Sequence, residues 1–172
     1  MLINFKLSCS TSKSQNGFSM IEVLITVLVL SFGLLGMAGL ITTGMRGNTI
    51  AQYRTVATQQ TLDMADRMRA NLAGVRAGSY DTLAVGIPIS DVCIGNAAEC
   101  DVDQMATYDH AQWNTANAAL LPGGTGRVDG NLVNGFLITL MWVEKDMGGV
   151  NDPTCPGGTP ADTRCFVTRI SP

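Results

Sequence analysis

Residues 18–45 read FSMIEVLITVLVLSFGLLGMAGLITTGM, with Glu22 as the only charged side chain. A run of about 28 residues would reach about 42 Å as a helix, more than the ~30 Å hydrocarbon core of a bilayer. Its roughly fourteen Leu, Ile, Val and Phe residues each favour insertion by about 0.3–0.6 kcal/mol, against about 3 kcal/mol for one charge at the bilayer centre. Insertion wins, and Glu22 lies near the end of the run, where a charge costs less.

Charged residues make up 15% of the chain and apolar ones 46%, and the apolar excess is concentrated in this run. At 172 residues the chain is long enough for one domain with a real core plus an appendage. Net charge −3 and pI near 4.9 provide no broad basic field, so no nucleic acid is expected as a partner. Residues 1–17 carry Lys6 and Lys13 and no acid. The positive-inside rule therefore keeps them cytoplasmic and sends the C-terminal part outward. No A-x-A-like cleavage site follows the apolar run, so it is expected to stay in the chain.

Gly17-Phe18-Ser19-Met20-Ile21-Glu22 resembles the class III signal of type IV prepilins and type II secretion pseudopilins. The resemblance implies cleavage between Gly17 and Phe18 by a prepilin peptidase, removal of residues 1–17 as a leader containing Cys9, and N-methylation of Phe18. It makes Glu22 the acid of the pilin helix. Glu22 lies one helical turn after Phe18, where the new ammonium and the helix N-terminus favour an anion, so it is expected to pair with the Phe18 amine of a neighbouring subunit; the alternative is a tolerated, partly snorkelled acid in a plain membrane anchor. Gly33-Leu34-Leu35-Gly36-Met37-Ala38-Gly39 and Asp63-Met64-Ala65-Asp66-Arg67-Met68-Arg69-Ala70-Asn71 are similar to PilV-type minor pilins, as are, loosely, the regions around Trp113, Leu121-Pro122-Gly123 and 138–143. Gly39 stands where major pilins often carry proline.

The implied fold is α+β, type IV pilin-like: a long N-terminal helix, half membrane-spanning and half amphipathic, packed on a small antiparallel sheet. Its parts are a leader at 1–17, a transmembrane or filament-core helix at 18–45, an amphipathic continuation at 46–74 and a periplasmic or extracellular head at 75–172. The implied role is a minor pilin that joins and helps initiate type IV pilus assembly. Its partners would be other minor pilins and the major pilin through helix packing, the prepilin peptidase, the inner-membrane assembly platform, and the inner membrane before assembly. The alternatives are a minor pseudopilin of a type II secretion system and a pilus-tip adhesin or ligand-binding module.

In the continuation, Tyr53, Ala57, Thr61, Met64 or Ala65, Met68 and Leu72 recur every three or four residues, a stripe that should dock on a sheet. Asp63 and Arg67 are four apart and read as a solvated pair, and Gly74 suits a helix stop. Gly33, Gly36, Gly39, Gly44 and Gly47 each cost about 1 kcal/mol of helix propensity, which marks this stretch for bending, melting or close helix approach. Beyond Val75 the pattern predicts mostly loop with a short strand at 83–89 and a helix over 107–121 stopped by Pro122-Gly123-Gly124. A turn at Arg127-Val128-Asp129-Gly130 would precede a strand over 132–143, with a second, antiparallel strand over 165–170.

Four cysteines remain after the leader: Cys93, Cys100, Cys155 and Cys165. An even count facing an oxidising compartment favours two disulfides, for which sequence permits three pairings. Cys93–Cys100 and Cys155–Cys165 are expected because each pair brackets a Gly- or Pro-containing loop. Zinc is the competing reading, but neither pair has the short C-x₂₋₄-C spacing, so no metal or cofactor is expected. Asp91, Glu99, Asp101, Asp103 and Asp109 form an acidic neighbourhood without EF-hand spacing, read as a solvated loop rather than a Ca²⁺ site. His110 is read as a helix-surface residue, and nothing in the sequence brings it to Asp66. With no serine elbow, P-loop, H-E-x-x-H or dinucleotide fingerprint, catalysis is not expected.

Overall fold

A computed structural model of the chain describes residues 17–94, 99–145, 148–150, 152–157 and 159–171. Two compact units divide at Gly47 and Asn48. Helix α1, Met20–Ala70, contributes to both.

In the first unit every described residue is exposed. The run is helical because Leu, Met and Ala favour the conformation. Its glycines do not interrupt the hydrogen bonding: Thr42 and Thr43 donate their hydroxyls to the carbonyls of Ala38 and Gly39. The stretch marked for bending or melting is continuous α-helix.

The second unit contains the rest of α1, then α2 (Leu72–Ala77), β1 (Thr82–Leu83), α3 (Val102–Leu120), β2 (Thr125–Asn131), β3 (Gly135–Val143) and β4 (Thr163–Ile170). The four strands form one antiparallel sheet in the order β1-β2-β3-β4. Period-2 alternation puts Phe136, Ile138, Leu140 and Trp142 of β3 into the core. Ala57, Met64, Ala65 and Met68 enter it from α1, and Ala106 and Trp113 from α3. The α+β architecture is the expected one, a long N-terminal helix followed by a small antiparallel sheet. The apolar stripe is also where it was expected, except that Leu72 is exposed.

Several boundaries differ from the expectation. The helix does not stop at Gly74, which is buried within α2. Helix α1 ends at Ala70, and Asn71 caps α2 by accepting from the Gly74 N–H at 3.1 Å. The stop is Gly78, whose φ of 86° is a left-handed conformation that suits glycine. Helix α3 begins five residues earlier than position 107, because Asp101 and Gln104 form a reciprocal capping box. Residues Arg127 to Gly130 are not a turn but the middle of β2, with Val128 fully buried. The turn falls at 132–134, where the Asn131 carboxamide accepts the N–H groups of Val133 and Asn134. Only Thr82 and Leu83 form a strand in the 83–89 region, since Gly86 adopts φ 108° and breaks the extension.

Candidate functional site

Three groups of residues carry the candidate chemistry: the helix start, a polar cluster at the end of α1, and the cysteine-tethered loops. At the helix start, the Ser19 carbonyl accepts from the N–H groups of Glu22 at 3.0 Å and Val23 at 3.3 Å, so the helix is capped one residue after Phe18. Glu22 therefore sits in the first turn, where the helix dipole favours an anion. Among the described residues its carboxylate has no hydrogen-bond or ion-pair partner. Residues 1–16 lie outside the described residues, so most of the segment expected to be a leader, with Cys9, is not placed.

Behind Glu22, every large apolar side chain from Met20 to Met45 is at least half exposed, and none touches a core. The helix is long and apolar enough to cross a membrane. Among the described residues this apolar surface is left uncovered.

At the other end of α1, the Asp63–Arg67 pair is not simply a solvated couple. Arg67 donates its Nε to Asp63 at 2.8 Å and its Nη1 to Asp109 of α3 at 3.4 Å. Asp109 in turn accepts from the Tyr80 hydroxyl at 2.6 Å, and Asn71 donates to that hydroxyl oxygen at 3.2 Å and to the Val102 carbonyl at 3.0 Å. Burial, and then the hydrogen bond to Asp109, hold the Tyr80 pKa above its ordinary value, so the phenol keeps its proton. The cluster joins α1, α2, the following loop and α3. Its sequence signal is the stretch Asp63 to Asn71, whose polar members meet partners far along the chain.

The acidic neighbourhood is dispersed rather than convergent. Asp101 caps α3, Asp103 bonds Ser79, Asp91 accepts from Gln104, and Asp109 is buried against Tyr80 and Arg67. No group of three or more His, Cys, Asp or Glu able to hold a metal occurs among the described residues. His110 is not on the helix surface: it is buried on the inner side of α3. Burial lowers its pKa, partly offset by the backbone of Ala84 and Gly126. Asp66 instead pairs with Arg69 at 2.8 Å.

Cys93 is disulfide-bonded to Cys100, and Cys155 to Cys165. The first bridge closes the loop before α3, and the second ties the 152–157 segment to β4. A cleft of about 370 Å³ lies over β2 and β3, with Met141, Val143, Pro156 and Pro160 among its walls. The cation in its lining, Arg127, is already paired with Asp129.

Residues 12–38 match a known family, the prokaryotic N-terminal methylation motif. The match spans the Gly17–Phe18 bond and the start of the exposed apolar helix, and it supports a type IV pilin or pseudopilin, a class that is structural rather than catalytic. Comparison with curated proteins and with solved structures yields no match.

Proposed function

We propose that the chain is a PilV-type minor pilin that joins and helps initiate a type IV pilus. The observation that carries this reading is the methylation motif placed at the head of an apolar helix whose large apolar side chains from Met20 to Met45 are exposed among the described residues. Prepilin peptidase cuts between Gly17 and Phe18, and the new Phe18 amine is methylated. The helix holds the protein in the inner membrane as a single pass, with the disulfide-bonded head in the periplasm. On assembly the helix moves from lipid into a bundle of pilin helices, where its apolar surface stays buried. Glu22 then pairs with the Phe18 amine of a neighbouring subunit, because an ionisable group in an apolar environment calls for an opposite charge. Other minor pilins and the major pilin are the helix partners, the assembly platform drives the transfer, and the final location is the pilus surface.

N-terminal sequencing and intact mass of the mature protein test the first step, with methylated Phe18 as the expected terminus. An unprocessed chain overturns it. A deletion strain should lose surface pili and twitching, and Glu22→Ala should fail to restore them. Lost exoprotein secretion with normal pili would make the protein a minor pseudopilin, and normal pilus numbers with weak attachment would make it a tip adhesin.

A further inference from the structure

The two edges of the sheet are finished differently. On the β2 side, Gly130 donates its N–H to the Asp81 carbonyl at 3.0 Å and β1 covers Val128. Gly126 gives its N–H to the Asn114 side-chain oxygen at 2.6 Å and accepts from the same carboxamide at 3.2 Å. The outward groups of β2 are thus covered, and β1, the edge strand on this side, is only two residues long. On the β4 side, the Thr163 carbonyl accepts from the Asp152 N–H at 3.2 Å and the Cys165 carbonyl from the Thr154 hydroxyl at 3.4 Å. Odd-numbered residues of β4 therefore point their backbone groups away from β3, and by alternation Val167 and Arg169 do the same. Among the described residues nothing pairs with those four groups. Val167 is 41% exposed beside them, and Arg169 is exposed.

The same unit presents an unpaired apolar segment. Residues 84–92 belong to no helix or strand, yet Ile87 and Ile89 are exposed, Ile89 completely at 100%, and Val92 follows at 70%. Two residues after Ile89, Asp91 is an exposed acid whose side chain accepts from Gln104 at 3.1 Å.

We propose that residues 87–92 of one copy add as a parallel strand to the β4 edge of a second copy. Charge complementarity selects the partner and the register. Ile89 lies beside Val167 and Asp91 beside Arg169, an apolar pair followed by an ion pair on one face. In this register Val167 donates to the Pro88 carbonyl and accepts from Ser90, and Arg169 donates to the Ser90 carbonyl and accepts from Val92. Pro88, which has no N–H, is asked only for its carbonyl. The antiparallel alternative would set Ile87 against Arg169 and Asp91 against Cys165, whose carbonyl is already taken. Donor and acceptor are different surfaces, so the contact is head-to-tail and propagates from copy to copy. This inference concerns the head and does not rest on the pilin reading.

The full-length chain carrying benzoylphenylalanine at position 89 tests it by photocrosslinking in the membrane of an expressing bacterium. The expected product is a dimer of the chain with the link mapped by mass spectrometry to residues 166–170. Val167→Pro removes an N–H that β3 does not use, so both disulfides should still form by intact mass. The dimer yield should fall by about tenfold, the worth of one hydrogen bond and its geometry. Arg169→Asp should also lower the yield, and combining it with Asp91→Arg should restore it. A link to another surface or only to another protein, no photoproduct, a yield indifferent to Val167→Pro, or a charge swap that fails to restore it would each overturn the proposal.

Discussion

Leu, Ile, Val and Met are treated in opposite ways in the two units. From Met20 to Met45 they are all exposed and make no core, whereas in the second unit Met64, Met68, Val128, Ile138 and Leu140 are fully buried. The same residue types are thus a property of the fold in one place and a demand on the surroundings in the other. Side-chain chemistry alone does not say which. What separates them is what they are joined to: the head has strands, two further helices and turn residues that fold its apolar groups together, and residues 20–47 have only one helix.

The largest break of this contrast should come from charges in the first unit. Leu28→Lys with Leu30→Lys should cost about 6 kcal/mol of membrane insertion, enough to offset the favourable apolar sum. Carbonate extraction should then release the protein, while disulfide formation in any translocated head is unchanged. Next is Trp113→Ala in the second unit, which empties the centre of the core and removes the 2.7 Å bond from the indole N–H to the Gln60 carbonyl. It should destabilise the head by about 3–5 kcal/mol in chemical denaturation, with membrane insertion unaffected.

A smaller effect belongs to His110. Its folded pKa is lowered, so on acidification the unfolded state takes up the proton first. The stabilisation is complete above the ordinary histidine pKa of about 6.5 and is lost as pH falls through the folded value, at no more than about 1.4 kcal/mol per pH unit. Denaturation midpoints between neutral pH and the carboxylate range should show this slope, and His110→Gln should flatten it. Smallest is Asp66→Ala, which removes an exposed pair with Arg69 and should shift stability by less than about 0.5 kcal/mol.

Features carried by local periodicity were legible in the sequence. The exposed apolar helix announces itself as an unbroken run, the buried stripe from Ala57 to Met68 by its recurrence every three or four residues, and the strand around Ile138 by its β-branched and large apolar residues. The Gly17–Phe18 motif was equally plain, being a run of adjacent residues. The misplaced parts depend on partners distant in the chain. Gly130 looked like a turn residue, but Val128 two positions earlier fills the core and draws the segment into β2. His110 looked exposed because a lone histidine on a polar helix gives no sign of the sheet beneath it. Arg67 and Asp109 are 42 residues apart, so their contact has no local signature.

The Asn114 carboxamide engages both the N–H and the carbonyl of Gly126, as a neighbouring strand would, and a Cβ at Gly126 would come within 2.1 Å of the Trp113 ring. Adjacent helix residues thus clamp one glycine from two directions. Sliding α3 along the sheet by even a single turn would forfeit both grips at once, so the register between helix and strand is held as by a key in its slot.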